Sequence, residues 1–119
     1  MTEQRTPAKP GKDSWQQWPE GLDVEYGPVQ TGTVTAGFTA KTFPVYVDGD
    51  HIGEIKVARE RTYGKANASL GNIRVPKGHA NRWRARPVHG AMSRPGIDVH
   101  YSSRAEATAA LVKFVRGQQ

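Results

Sequence analysis

The stretch Phe43-Pro44-Val45-Tyr46-Val47-Asp48-Gly49-Asp50-His51-Ile52-Gly53-Glu54-Ile55-Lys56-Val57-Ala58 decides the architecture. Phe43, Val45 and Val47 recur at every second position, so they share one face of a short strand from Phe43 to Val47. Asp48-Gly49 follows, a dipeptide favoured in tight hairpin turns because both of its residues tolerate positive φ. Ile52 to Ala58 returns as the partner strand, with Ile55 and Val57 facing one way and Glu54 and Lys56 the other. Pro44 has no N–H to donate, which points to an edge position for the first strand. An antiparallel sheet built this way has one apolar face, and that face needs a cover.

The C-terminus supplies it. Ser103-Arg104-Ala105-Glu106 is a capping box, in which the Ser103 hydroxyl accepts from the Glu106 N–H and the Glu106 carboxylate reaches back. Ala107, Ala110, Leu111, Phe114 and Val115 then recur at helical spacing and form one apolar face. Lys113 and Arg116 complement the negative end of the helix dipole, and Gly117 is a stop. The fold class expected is α+β: a small antiparallel β-sheet with one C-terminal α-helix packed on one face, preceded by a flexible N-terminal tail.

Working outward, residues 1–21 read as that tail, with Pro7, Pro10, Gly11, Pro19 and Gly21 and no apolar period. Trp15 and Trp18 are its exception. They share a face of a helical turn and either anchor a partner or fold back on the domain; exposed tryptophan is costly, which favours folding back. Residues 22–117 make the single domain. Within it, 22–32 read as connector or edge material and Thr33 to Phe38 as a strand of period two. Residues 59–71 read as an exposed polar excursion, Asn72 to Val75 as a short strand, and Pro76-Lys77-Gly78 as a turn. Arg82 to Val88 is the next strand. A loop from Gly90 to Gly96 leads into a last strand in which Ile97, Val99 and Tyr101 alternate with Asp98 and His100.

Charge is unevenly placed. The 119 residues hold 17 Lys and Arg against 11 Asp and Glu, a net charge of +6. Residues 61–97 carry eight cations (Arg61, Lys65, Arg74, Lys77, Arg82, Arg84, Arg86 and Arg94) and no acid, so the rest of the chain is net negative. Segregation of this kind points to an anionic partner, against the alternative of a solvated basic surface. In Arg82-Trp83-Arg84-Ala85-Arg86, strand parity puts Trp83 and Ala85 on one face and the three arginines on the other. If the helix covers Trp83, the arginines project from the open face, about 6.6 Å apart, and repel one another unless an anion intervenes. Guanidinium forks suit phosphates and guanine edges. Lys56, Arg74 and His100 have matching parity, and Lys77 lies nearby in the block. The alternative is that the arginine stems only cover the sheet, with their heads in water.

Other chemistries find little support. With no Cys there are no disulfides, thiolate metal sites or cysteine nucleophiles. Asp48-Gly49-Asp50-His51 is a hairpin turn before it is a metal loop, and His79 and His89 read as loop residues. No serine sits in a nucleophile elbow, and Gly64, Gly71 and Gly78 lack the Gly-Lys-Ser/Thr of a phosphate loop. The expectation is therefore a non-enzymatic protein with no catalytic residues, no metal and no cofactor. No apolar run approaches the roughly 20 residues that span a bilayer, and Met1 to Lys12 has no apolar segment behind its charges. A cytoplasmic protein without membrane contact is expected.

Trp83-Arg84-Ala85-Arg86, followed by Tyr101-Ser102-Ser103-Arg104-Ala105-Glu106-Ala107 opening a helix, resembles the arm-type DNA-binding domains of phage integrases. The likeness spans residues 82–116, while the excursion at 59–81 and the loop at 90–96 depart from that compact pattern. It implies a three-stranded antiparallel sheet with a C-terminal helix, whose open face enters the major groove. The hairpin at Val45-Tyr46-Val47-Asp48-Gly49 and the start of the helix also resemble small orphan proteins of actinobacteria and their phages. The leading expectation is a nucleic-acid-binding protein, double-stranded DNA first, contacting it through Arg82, Arg84, Arg86, Arg74, Lys77, Lys56 and His100. The alternative is a phage- or actinobacterium-encoded interaction module that modulates an acidic host protein, with Trp15 and Trp18 as contacts.

Overall fold

In the computed structural model, which describes residues 4–33, 39–65, 74–92 and 96–117, the chain forms β1 (Thr6–Pro7), β2 (Val24–Tyr26), β3 (Gln30–Thr33), β4 (Thr39–Val47), β5 (Asp50–Lys65), β6 (Arg74–Pro87) and α1 (Arg104–Gly117). All strand pairs are antiparallel, in the order β1-β2-β4-β5-β6, and β3 also pairs with β4. The β4–β5 hairpin turns on Asp48 (φ 50°) and Gly49 (φ 86°), both with the positive φ that the Asp-Gly pair predicts. One helix packs on one face, as the α+β reading expects.

The covered face follows from register. Phe43 opposes Ile55, Ile55 opposes Ala85, and Val57 opposes Trp83, so the apolar side chains of three strands share one side. Val24, Tyr26, Val45 and Ile55 from the sheet are buried against Ala107, Leu111 and Val112 of α1. Each such aliphatic side chain contributes roughly 1.5–3 kcal/mol when fully buried. Gly53 is required in its row, because a Cβ there would strike the Arg86 carbonyl and Pro87 Cα of the neighbouring strand.

The helix begins where the capping box predicts. The Glu106 N–H donates to Ser103 Oγ at 3.1 Å, but the Glu106 carboxylate accepts from the Ser102 N–H (3.0 Å) and hydroxyl, one residue further back. The buried stripe is also turned from the expected one: Ala107, Thr108, Ala109, Leu111 and Val112 are buried, while Ala110, Phe114 and Val115 are half-buried. Thr108 is tolerated at the centre because its hydroxyl is satisfied twice, donating to the Arg104 carbonyl at 2.8 Å and accepting from the Tyr26 hydroxyl at 2.7 Å.

Four local expectations are corrected. Pro44 lies in a central strand, not at an edge, since β4 is paired on both sides. It falls in the gap between the β2 pairing (Val45–Val47) and the β3 pairing (Thr39–Thr42), where its carbonyl accepts from Gly27 N–H at 2.8 Å and no ladder donor is needed. Residues 22–32, read as connector or edge material, contain β2 and most of β3, short strands whose periods are too brief to register, and of the two β3 is an edge strand paired with β4. Pro76-Lys77-Gly78 does not turn the chain: Thr62 pairs with Gly78 and Tyr63 with Pro76, so Lys77 is the extra residue of a bulge inside β6. The last strand, Ile97 to Tyr101, reduces to one bridge between Tyr101 and Trp83, with Ile97 exposed. Of the strand expected at Thr33 to Phe38, Thr33 closes β3 and residues 34–38 lie outside the described residues, as do 66–73 of the polar excursion and the short strand after it.

Residues 4–21, read as tail, touch the domain at several points. Thr6 and Pro7 pair with Tyr26 and Glu25, Ala8 N–H donates to the Val24 carbonyl at 2.8 Å, and Arg5 stacks on Tyr46 at 3.9 Å. A single turn at Ser14–Gln16 then lies against α1, where Lys113 Nζ donates to the Trp15 carbonyl at 2.8 Å. Trp18 and Leu22 pack against the core. Trp18 therefore folds back on its own domain, while Trp15 remains 46% exposed.

Candidate nucleic-acid interface

Register places Arg82, Arg84 and Arg86 together on the face away from the helix. They oppose Ala58, Lys56 and Glu54 of β5, so Lys56 joins them on that face. His100 sits beside them at the sheet edge, its Nε2 2.7 Å from Arg82 Nη1. Lys56, Arg86 and His100 are exposed; Arg82 and Arg84 are half-buried.

Arg84 is not waiting for an external anion. Its Nε and Nη2 donate to Asp98 at 2.9 and 2.6 Å, and Nη1 and Nη2 donate to Glu60, the latter at 3.1 Å. Two carboxylates thus grip one guanidinium, each through a two-point contact. The hydrogen bonds that Arg84 donates to Asp98 and Glu60 hold it further into its charged form, and the same bonds push the Asp98 carboxyl below its ordinary value. Glu60 and Asp98 are the residues that immediately bound the acid-free window 61–97, so the acids missing from that window stand at its two ends and close on its central arginine. Glu54 stands opposite Arg86 in register, so three carboxylates lie among the four cations of the open face, two of them on Arg84. The repulsion expected among the arginines is relieved from within the chain.

The positive charge lies elsewhere. Among the described residues β4 accompanies β5 only as far as Ala58, and beyond it residues 59–65 and 74–81 pair as a two-stranded ribbon, about 20 Å long at the usual rise. The molecule is elongated, with extents of 56 × 31 × 28 Å and a radius of gyration of 16.6 Å, against about 13.5 Å for a compact chain of this length. The ribbon carries Arg59, Arg61, Lys65, Arg74 and Lys77, and one acid, Glu60, which is engaged with Arg84. Arg59, Arg61 and Lys77 are exposed, and none has an acidic partner among the described residues. Lys65 and Arg74 face each other in register at its far end. The bulge at Lys77 shifts the parity of β6, so the alternation that grouped Arg74 with Arg82, Arg84 and Arg86 does not extend past it.

On the helix side, where the ribbon leaves the sheet, a groove of 290 Å³ is lined by Lys41, Phe43, Val57, Arg59, Asn81 and Trp83 among others. Lys41, Val57 and Trp83 form one cross-strand row and Arg59 and Asn81 the next. Phe43 and Trp83 meet with ring centroids 5.8 Å apart, and the Arg104 guanidinium lies 5.6 Å above Phe43. Sequence reading passed over Lys41, Arg59 and Asn81 because each sits in a stretch without apolar period. For Arg59 the signal that could have found it is the uninterrupted polar run Arg59-Glu60-Arg61-Thr62, the mark of a strand with no core beneath it.

No group of three or more metal-ligating side chains occurs among the described residues, and no helix among them is long and apolar enough to cross a membrane. No protein-family model, curated protein or solved structure matches the chain.

Proposed function

We propose that the chain is a non-enzymatic nucleic-acid-binding protein that holds phosphates along the β5–β6 ribbon. One observation carries this reading: five cations on a protruding two-stranded ribbon, whose single acid is already taken by Arg84. Such a ribbon offers charge on a narrow element that can follow a backbone or lie in a groove, and a two-stranded ribbon fits the major groove of duplex DNA. Arg82, Arg86 and Lys56 extend the positive surface along the open face, and Arg84 acts as the clamp that fixes the root of the ribbon to the loop bearing Asp98.

The test is salt-dependent binding of a labelled oligonucleotide, followed by anisotropy. Affinity should fall steeply with salt, and replacing Arg61 and Lys77 together by Ala should reduce the log–log slope by about 1.4–1.8, since each phosphate contact contributes about 0.7–0.9. A salt-independent affinity, an unchanged slope in the double variant, or equally tight binding of polyglutamate would overturn it. The last result would favour the acidic host protein as partner.

A further inference from the structure

Resting on that reading, we infer that the groove at the root of the ribbon receives an unpaired nucleobase of a single-stranded nucleic acid, stacked against Trp83. The groove has the composition such a ligand requires. Its wall is aromatic, from Trp83 and Phe43; Asn81 offers an amide with both donors and an acceptor for a base edge; Lys41 and Arg59 stand at the rim for the adjoining phosphate. No acid lines it, and Arg104 adds a third cation above Phe43. Its 290 Å³ lies at the bottom of the range for small-molecule sites, enough for one flat ring system. Single strands are bound elsewhere in this manner, by aromatic platforms on a sheet face beside a track of cations. Here the ribbon cations Arg59 and Arg61 continue directly from the groove, so a strand whose base enters it is led along the ribbon. A paired base in a duplex cannot reach Trp83, because both of its faces are stacked.

A chain with Trp15→Phe and Trp18→Phe leaves Trp83 as the one fluorophore of its kind. Three probes are titrated: a single-stranded oligothymidylate, a duplex of equal length, and thymidine monophosphate. The single strand should quench Trp83 fluorescence and bind at least about ten-fold more tightly than the duplex, in keeping with the roughly 5- to 150-fold that one stacked base contributes. Asn81→Ala and Lys41→Ala, both at exposed positions, should each weaken the single strand by about five-fold or more and leave the duplex unchanged. Trp83→Phe in the otherwise unaltered chain, checked for an intact melting transition, should weaken it as well. Salt-dependent binding without quenching, equal affinity of the parent chain for single strand and duplex, or an unchanged single-strand affinity in the groove variants, would overturn the groove while leaving the ribbon reading standing. The absence of any nucleic-acid binding at low salt would overturn both. Monophosphate binding as tight as the oligonucleotide would overturn the single strand as ligand and assign the groove to free nucleotides.

Discussion

Arg84 is gripped by two carboxylates, Glu60 from β5 and Asp98 from the loop before α1. Alternation alone places it with Arg82 and Arg86 on the open face, and it lies there. What alternation could not give is its pair of partners, because Glu60 and Asp98 come from different segments and meet only after the hairpin closes and the chain returns along β6. Replacing Arg84 by Ala would leave two carboxylates facing each other, and should lower stability by about 1–2 kcal/mol for a partly exposed pair of charged contacts. Chemical denaturation measures this, and the salt slope of nucleic-acid binding should stay near that of the parent chain. The acid limb of stability should carry the same signature. Because Asp98 is held below its ordinary value in the folded chain, its contribution is present above the unfolded carboxyl range and is lost as pH falls through the folded value. Melting temperature should therefore drop more between pH 5 and pH 2 in the parent than in Asp98→Asn; equal drops would contradict the clamp.

At the scale of elements, the hairpin and the helix were legible because each is specified by local chemistry. Asp48-Gly49 takes the backbone conformation that the turn demands, and Ser103 and Glu106 mark where α1 begins. The stripe of α1 was misplaced because Thr108 reads as polar, and only the Tyr26 hydroxyl, 82 residues away in sequence, makes its burial acceptable. That bond joins β2 to α1. Tyr26→Phe should cost about 1 kcal/mol, and Thr108→Val in the same background should recover part of the loss, since both polar partners are then gone. Burial also raises the Tyr26 hydroxyl above its ordinary value, so the stability it supports is present below the unfolded tyrosine range and is lost as pH rises through the folded value. A Tyr26→Phe chain should lose less of its stability on going to alkaline pH, by thermal melts. The ribbon was illegible for the opposite reason. Away from the helix neither face of residues 59–65 needs apolar side chains, so the period that reveals a strand is missing, and Pro76 with Gly78 imitates a turn where the chain in fact bulges.

For the whole molecule, the net charge of +6 separates into a nearly neutral body and a basic arm. On the open sheet face, first expected to be the contact surface, the central arginine is taken by Glu60 and Asp98, while Arg59, Arg61 and Lys77 of the ribbon have no acidic partner among the described residues. A charged arm that needed an internal counterion would be pulled back onto the body. Here the one acid of the ribbon is turned instead to Arg84 at its root, which leaves Arg59, Arg61 and Lys77 facing solvent. If these cations carry the binding, the salt slopes of three chains with the same oligonucleotide will show it: the parent, Arg61→Ala/Lys77→Ala, and Arg84→Ala. The ribbon variant should lose about 1.4–1.8 from the slope while Arg84→Ala keeps the parent slope at reduced stability. A full slope in the ribbon variant together with a diminished one in Arg84→Ala would contradict the account and return the contact to the open face.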